Sequence, residues 1–507
     1  MKYDFDSVVD RSGTYSIKWE VEPNELPMWV ADMDFKTAPA IIEAMGKRLE
    51  HGVFGYTDIP KEWKDAYINW WRNRHHIEIE SDWLMFCTGV IPAISSCVRK
   101  LTTPAENVLV MTPVYNTFYN SILNNGRNVL ECPLVYENHK YHIDFEDLER
   151  KLADPQTSMM ILCNPHNPVG KIWNRETLAH IGELCAKHHV IVLSDEIHCD
   201  LTMPGFEYIP FASVNETCRD NCVTCLAPTK TFNMAGIQTA AIMVPNPVLR
   251  HKVWRGINTD EVAEPNVFAV TAAIAAFNEG GEWLDELRAY IQQGKDMVKK
   301  YLAEQLPQIQ VVSEDATYLL WLDCSAVTSD SKGFAEAIRK NTGLFLTGGY
   351  QYRGNGAGFV RLNIACPHSV IEDGLRRFKK GVEAYTGQPH TEVKTQAPKV
   401  AEVAHTSSVY NQSQSVSASS TPQSVYADKQ EEEFKLDDGL LAFLEADSYE
   451  KKLEILSNLH ATITDAMIDT MAVSLDIEVK DGDIEQRYSE ILNCLLTMER
   501  FECNRLR

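Results

Sequence analysis

Lys230 follows a short apolar run, Val223-Thr224-Cys225-Leu226, in the turn-forming stretch Ala227-Pro228-Thr229-Lys230-Thr231-Phe232-Asn233. Partial desolvation behind a buried strand lowers an amine's pKa and makes it a better nucleophile toward a carbonyl carbon. Taken singly, such a lysine means little. Upstream, Ser194-Asp195-Glu196-Ile197-His198 sets two acids and a histidine at the end of another apolar run. Charge is costly there unless it meets a cation. A pyridinium nitrogen is such a cation, and a carboxylate at Asp195 would keep it protonated and sustain the electron sink of pyridoxal phosphate. The plainer role for the same aspartate is a helix N-cap.

Three further stretches carry groups that a small anionic ligand could use. In Asn164-Pro165-His166-Asn167-Pro168-Val169-Gly170, two X-Pro bonds and a glycine break the chain directly after an apolar run. The expected outcome is a rigid, irregular loop that holds Asn167 as a donor. Thr88-Gly89-Val90-Ile91-Pro92-Ala93 places a turn glycine before a proline-started helix, whose free backbone donors suit a dianionic phosphate. Arg361 lies in the apolar Gly358-Phe359-Val360-Arg361-Leu362-Asn363, where a guanidinium calls for a bidentate anion such as a substrate carboxylate.

The elements that position these groups are legible as alternating patterns. Apolar runs at Asn107–Met111, Met159–Cys163, Val190–Leu193, Val223–Leu226 and Thr239–Val244 suit strands buried on both faces. Between two of them, Arg175 to His188 has Leu178, Ala179, Ile181, Leu184 and Cys185 at helical spacing, which supplies a crossover helix. The fold class is therefore α/β, with ligand groups at the carboxyl ends of the strands. Beyond it, Val267–Ala276 and Trp283–Leu306 read as helices, and Tyr318–Leu322 and Phe359–Ile364 as strands of a smaller α+β domain ending near Tyr385. From about Gln388 to Gln430 the composition turns to Ser, Thr, Gln, Val and Ala, too polar to pack, and predicts a flexible linker. Glu431 to Arg507 regains helical periodicity and predicts a small all-α appendage of three or four short helices. The predicted division is 1–44 as an N-terminal arm and part of the small domain, 45–285 as the large domain, and 286–387 as the small domain. Linker and appendage then occupy 388–430 and 431–507.

A net charge of −23 over 507 residues argues against a nucleic-acid partner, which needs a concentrated cationic face. No stretch has the length and apolarity of a signal peptide or a membrane span, so a cytoplasmic protein with no membrane association is expected. The 13 cysteines are scattered through apolar segments, as reduced core residues would be. Cys222 and Cys225 have the spacing of a metal pair, but residues three apart on a strand face opposite ways. No metal is expected. His75-His76 and His188-His189 read as surface histidines, and Gly354-Asn355-Gly356-Ala357-Gly358 as a turn before a strand rather than a dinucleotide loop. Asn215-Glu216-Thr217 fits a glycosylation acceptor, which a chain without a secretion signal would not use.

As a set, these motifs resemble those of a known family. They are joined by Pro27-Met28-Trp29-Val30-Ala31-Asp32-Met33-Asp34-Phe35, Gly52-Val53-Phe54-Gly55-Tyr56 and Thr112-Pro113-Val114-Tyr115. From about Asp4 to Tyr385 the chain resembles the fold-type I pyridoxal-phosphate enzymes of the aminotransferase class I/II group, specifically the cystathionine β-lyase branch of MalY/PatB type. The resemblance implies a Schiff base between Lys230 and pyridoxal 5'-phosphate, Asp195 at the pyridine nitrogen, Asn167 at the phenolic oxygen and Tyr115 stacked on the ring. It implies Gly89, Val90, Ile91 and Thr229 at the phosphate, with Tyr56 crossing to the phosphate site of a second subunit in a homodimer. It also implies Arg361 at the substrate α-carboxylate, Trp29 and Asp32 at the substrate entrance, and His198 where many aminotransferases place a tyrosine. Ala227 stands where relatives often carry a hydroxyl, and no arginine follows Lys230 until well beyond Gln238, which favours the lyase branch. The expected activity is β-elimination from a sulfur amino acid such as cystathionine, cysteine or cystine. Transamination is the nearest alternative, and a regulatory role through the fold or the helical appendage is the second. For the appendage, a protein partner and simple self-packing stand level.

Overall fold

Apolar runs become the middle of a sheet because only strands covered on both faces can be apolar throughout. In chain order the protein, described by a computed structural model over residues 2–312 and 315–387, begins with β1 (Leu26–Pro27), α1 (Pro39–Glu50), α2 (Lys61–His75), β2 (Leu84–Cys87) and α3 (Val90–Leu101). It continues through β3 (Asn107–Thr112), α4 (Thr117–Leu123), β4 (Asn128–Pro133), a hairpin of β5 (Val135–Glu137) and β6 (Lys140–His142), and α5 (Phe145–Leu152). Next come β7 (Thr157–Cys163), α6 (Arg175–Lys187), β8 (Ile191–Asp195), α7 (Glu216–Asp220), β9 (Cys222–Leu226) and β10 (Ala240–Met243). Helices α8 (Pro247–Thr259), α9 (Ala269–Glu279) and α10 (Gly281–Gln305) lead into β11 (Gln310–Val311) and β12 (Leu319–Asp323). Then follow α11 (Ser331–Thr342), β13 (Leu344–Phe345), β14 (Thr347–Gly348), β15 (Phe359–Asn363) and α12 (His368–Thr386). The linker and helical appendage predicted over 388–507 lie outside the described residues.

Seven strands form the larger sheet in the order β2-β10-β9-β8-β7-β3-β4. All run parallel except β10, which is antiparallel to both neighbours. The five apolar runs supply its interior strands, while the two edge strands, β2 and β4, are not among them. Helix α6 crosses over where its periodicity places it, with Leu178, Ile181, Leu184 and Cys185 buried. Its start is fixed by Asn174, whose side chain accepts from the Thr177 N–H at 2.8 Å. On β9, Cys222 packs into the core on one face and Cys225 into the core on the other, so the pair shares no metal. The described cysteines are all buried free thiols.

A smaller antiparallel sheet has the order β11-β12-β15-β14. The N-terminal segment runs beside it: β1 forms a separate parallel pair with β13, Asn363 N–H donates to Met28 O at 2.9 Å, and Asp34 N–H donates to Ala365 O at 2.8 Å. The glycine run forms a turn before β15, and a Cβ at Gly356 would collide with the carbonyl of Gly349. Close backbone approach therefore sets that composition. No helix among the described residues is long and apolar enough to cross a membrane.

Candidate active site

Parallel strands send their carboxyl ends to one edge of the sheet, and that edge gathers the chemistry. Asp195 ends β8, Asn167 follows β7, Tyr115 follows β3 and Lys230 follows β9. Strand β2 runs with β9, so Gly89 and the first turn of α3 share the same edge. That helix begins at Val90, two residues before Pro92, and the N–H groups of its first turn have no preceding helical carbonyl to reach. The lysine turn is closed by Phe232 N–H to Pro228 O and Met234 N–H to Thr229 O, both 2.9 Å, with Thr229 buried.

Two backbone carbonyls from the N-terminal segment meet the key cations. Lys230 Nζ donates to Ala31 O at 2.6 Å, and the Tyr318 hydroxyl donates to the same oxygen at 3.0 Å. Arg361, buried in β15, donates through Nη2 to Trp29 O at 3.0 Å and through Nη1 to Asn167 Oδ1 at 3.3 Å. Its guanidinium lies 5.1 Å from the centre of the Tyr352 ring. The Trp29 ring itself stacks on Phe345 at 4.6 Å, and Asp32 pairs with Arg11 at 2.7 Å. Tyr115 packs edge-on to Phe118, and Tyr56 is fully exposed in the isolated chain.

Electrostatics in this cluster follow from burial. It lowers Lys230 to about 8, helped by Arg361 and opposed by Asp32 and Asp195. Burial raises Asp195 to about 7, against the Ile197 N–H and Lys230. His198 is pushed down to about 3 by burial and by Lys230 and Arg361, and is neutral at physiological pH. An amine attacks a carbonyl only when unprotonated, and Lys230 loses its proton as pH rises through about 8. Covalent uptake of pyridoxal phosphate by the apoprotein should therefore speed up with pH and level off not far above 8. A rate still climbing at the pKa of an ordinary lysine would contradict this.

The residues fit a pyridoxal-phosphate group by an observation independent of any relative. His198 Nδ1 and Arg361 Nε are buried without a hydrogen-bond partner, and Asp195 sits buried with the Ile197 N–H as its hydrogen-bond donor. A cationic ring nitrogen would answer Asp195, and the carboxylate of an amino acid bound beside it would answer Arg361 Nε.

Sequence patterns miss several contributors. Arg11 and Lys18 brace Asp34 at 2.7 and 2.8 Å, and Asn363 Nδ2 donates to the carbonyls of Val30 and Asp32. Asn233 accepts from Met33 N–H and donates to Met33 O and Phe35 O. Only the paired acids Asp32 and Asp34 hint that this segment needs cations. One reading is corrected: His75 is no surface histidine, since its ring is largely buried and lies 2.8 Å from Asp200. Helix α2 turns it inward beside Trp71 and Tyr208.

Comparison with known proteins agrees with this geometry. The chain is 44% identical over 381 residues to the cystathionine β-lyase PatB of Bacillus subtilis, covering 74% of this chain and 98% of that protein. It is 33% identical to the protein MalY of Escherichia coli, covering 75% and 99%. The crystal structure of cystalysin from Treponema denticola, which contains a pyridoxal 5'-phosphate cofactor, superposes with a TM-score of 0.74 at 35% identity, covering 76% of this chain and all of that one. With residues 26–378 matching the family description as well, the chain belongs to the aminotransferase class I and II family and takes its fold-type I α/β architecture.

Proposed function

We propose that the protein is a pyridoxal-phosphate-dependent carbon–sulfur β-lyase that cleaves L-cystathionine, or a related sulfur amino acid, to a thiol, pyruvate and ammonia. The carrying observation is the gathering of base, cofactor partner and carboxylate anchor at one edge of the sheet: Asp195 ends β8, Lys230 follows β9 and donates to Ala31 O at 2.6 Å, and Arg361 donates to Trp29 O and to Asn167 Oδ1. Bound pyridoxal phosphate supplies an electron sink for the pair left at the substrate α-carbon. Lys230 takes the α-proton on Nζ, a task suited to an amine whose pKa lies near the working pH. Arg361 holds the α-carboxylate, and its bond to Asn167 couples that anchor to the group assigned to the phenolic oxygen. Asp195 serves the ring nitrogen, Tyr115 the ring face, and Gly89, Val90, Ile91 and Thr229 the phosphate. His198, held neutral, contributes hydrogen bonding rather than charge. Trp29 and Asp32 border the substrate side, through the carbonyl that Arg361 touches and the charge that Lys230 feels.

The same reading makes the working unit a homodimer in which Tyr56 reaches the second site. Its support is exposure: Tyr56 stands with Val53 and Phe54 uncovered on the surface of the single chain. It also divides the enzyme into a large domain over 45–285 and a small one over 286–387 joined by 1–44. The seven-stranded sheet falls inside the first and the four-stranded sheet inside the second.

Incubating the purified enzyme with L-cystathionine and no keto acid tests the activity. The expected result is continuous pyruvate release over many turnovers. Arrest after one equivalent, with the cofactor left in its amine form, would identify an aminotransferase instead.

A further inference from the structure

Asp200 lies five residues beyond Asp195, in the turn that also carries His198, where Leu201 N–H donates to His198 O at 3.0 Å. Its side chain is 1% exposed. Oδ1 accepts from Trp70 Nε1 at 2.9 Å and faces His75 Nε2 at 2.8 Å, both from α2. Oδ2 accepts from the Thr231 hydroxyl at 3.1 Å, and Thr231 is the residue after Lys230. One buried carboxylate thus spans the Asp195 turn, helix α2 and the lysine turn.

A carboxylate this deeply buried persists only with a counter-charge and filled hydrogen bonds. Burial alone would raise the Asp200 carboxyl, but His75, through its hydrogen bond and charge, and Trp70 hold it below the ordinary range. Cys199 brings a third metal-capable atom within 4.8 Å of the other two. Both carboxylate oxygens, however, are already engaged by Trp70, His75 and Thr231, so the group is a hydrogen-bonded brace.

We propose that Asp200, with His75 as its buried partner, is a positioning residue that holds Thr231 and thereby sets the amine of Lys230 relative to Asp195. This rests on the reading of Lys230 as the base. Holoenzyme variants Thr231→Val, Thr231→Ser, Asp200→Asn and the Thr231→Val/Asp200→Asn double test it by steady-state kinetics, by pH titration of the bound cofactor's visible absorbance, and by thermal melts. Thr231→Val should lower kcat roughly tenfold with KM within about twofold, and shift the absorbance titration by about half a pH unit. Thr231→Ser, which keeps the hydroxyl, should restore both. The double variant should be no worse than Asp200→Asn, because the two act through one bond. Wild-type kinetics and titration in Thr231→Val, an equal loss in Thr231→Ser, or additive effects in the double variant would each overturn the proposal. Failure of the lyase reading looks different: wild-type enzyme then releases no pyruvate, while the absorbance titration still reports on Thr231.

Discussion

Replacing Lys230 with alanine is expected to lower kcat for pyruvate release by on the order of 10^4-fold while leaving the fold intact, because a positioned proton-transfer group supplies up to that much. The fold should survive because little else depends on the amine. Its hydrogen bond goes to Ala31 O, and the Tyr318 hydroxyl continues to satisfy that carbonyl at 3.0 Å. The variant also removes an ammonium whose charged form desolvation disfavours. Lys230→Arg should be equally inactive for another reason, since guanidinium keeps its proton at any working pH. Small primary amines added to the assay should restore part of the alanine variant's rate and none of the arginine variant's, whose cavity is filled. The visible absorbance of the purified protein should fall in both. Retention of more than about one hundredth of wild-type turnover by Lys230→Ala would remove Lys230 from the role of base.

How far such a role is legible in the sequence depends on where each element lies. Strands β3, β7, β8, β9 and β10 announce themselves because interior strands are apolar on both faces. Strand β4 borders solvent on one side, carries Glu131 and is mostly not buried, so its pattern reads as loop. Strand β2 is as long and as buried as β10, so its apolar Leu84-Met85-Phe86-Cys87 run carries the same signal even though it lies at the sheet edge. The reversed direction of β10 leaves no mark on composition, since a buried strand looks the same either way. At the site, Lys230, Asp195 and Asn167 are legible because each is a polar residue at the end of an apolar run, and Arg361 because it is a charge inside one. What holds them is not. Ala31 and Trp29 act through backbone carbonyls, which carry no side-chain signature, and the contact with Lys230 spans 199 positions. His75 reads as a surface residue for a related reason: its partner Asp200 is 125 residues away, so no local spacing reveals the pair.

Arg361 should behave differently from Lys230, with its loss expressed mainly in KM. The guanidinium is fixed by Trp29 O, by Asn167 Oδ1 and by the Tyr352 ring, and its Nε is left over, buried and unpartnered. A substrate carboxylate that takes two charge-assisted hydrogen bonds gains roughly 1.5–3 kcal/mol from each. Losing both should lower kcat/KM by about 10^2- to 10^4-fold, at about 1.36 kcal/mol per decade. Arg361→Lys should recover little of that, because an ammonium cannot present two parallel donors, and it would also give up the guanidinium's contact with the Tyr352 ring, 5.1 Å from its centre. Measuring the same variants on an amide of the substrate amino acid separates anchoring from structure. Without the anion there is nothing for Arg361 to hold, so wild type and Arg361→Ala should converge on similar kcat/KM values. If the deficit persists undiminished on the amide, Arg361 acts by supporting the site rather than by binding the carboxylate. One secondary effect is built in: freeing Asn167 Oδ1 from its 3.3 Å bond lets that carboxamide reorient, so a modest shift of the cofactor's visible band should accompany the change in KM.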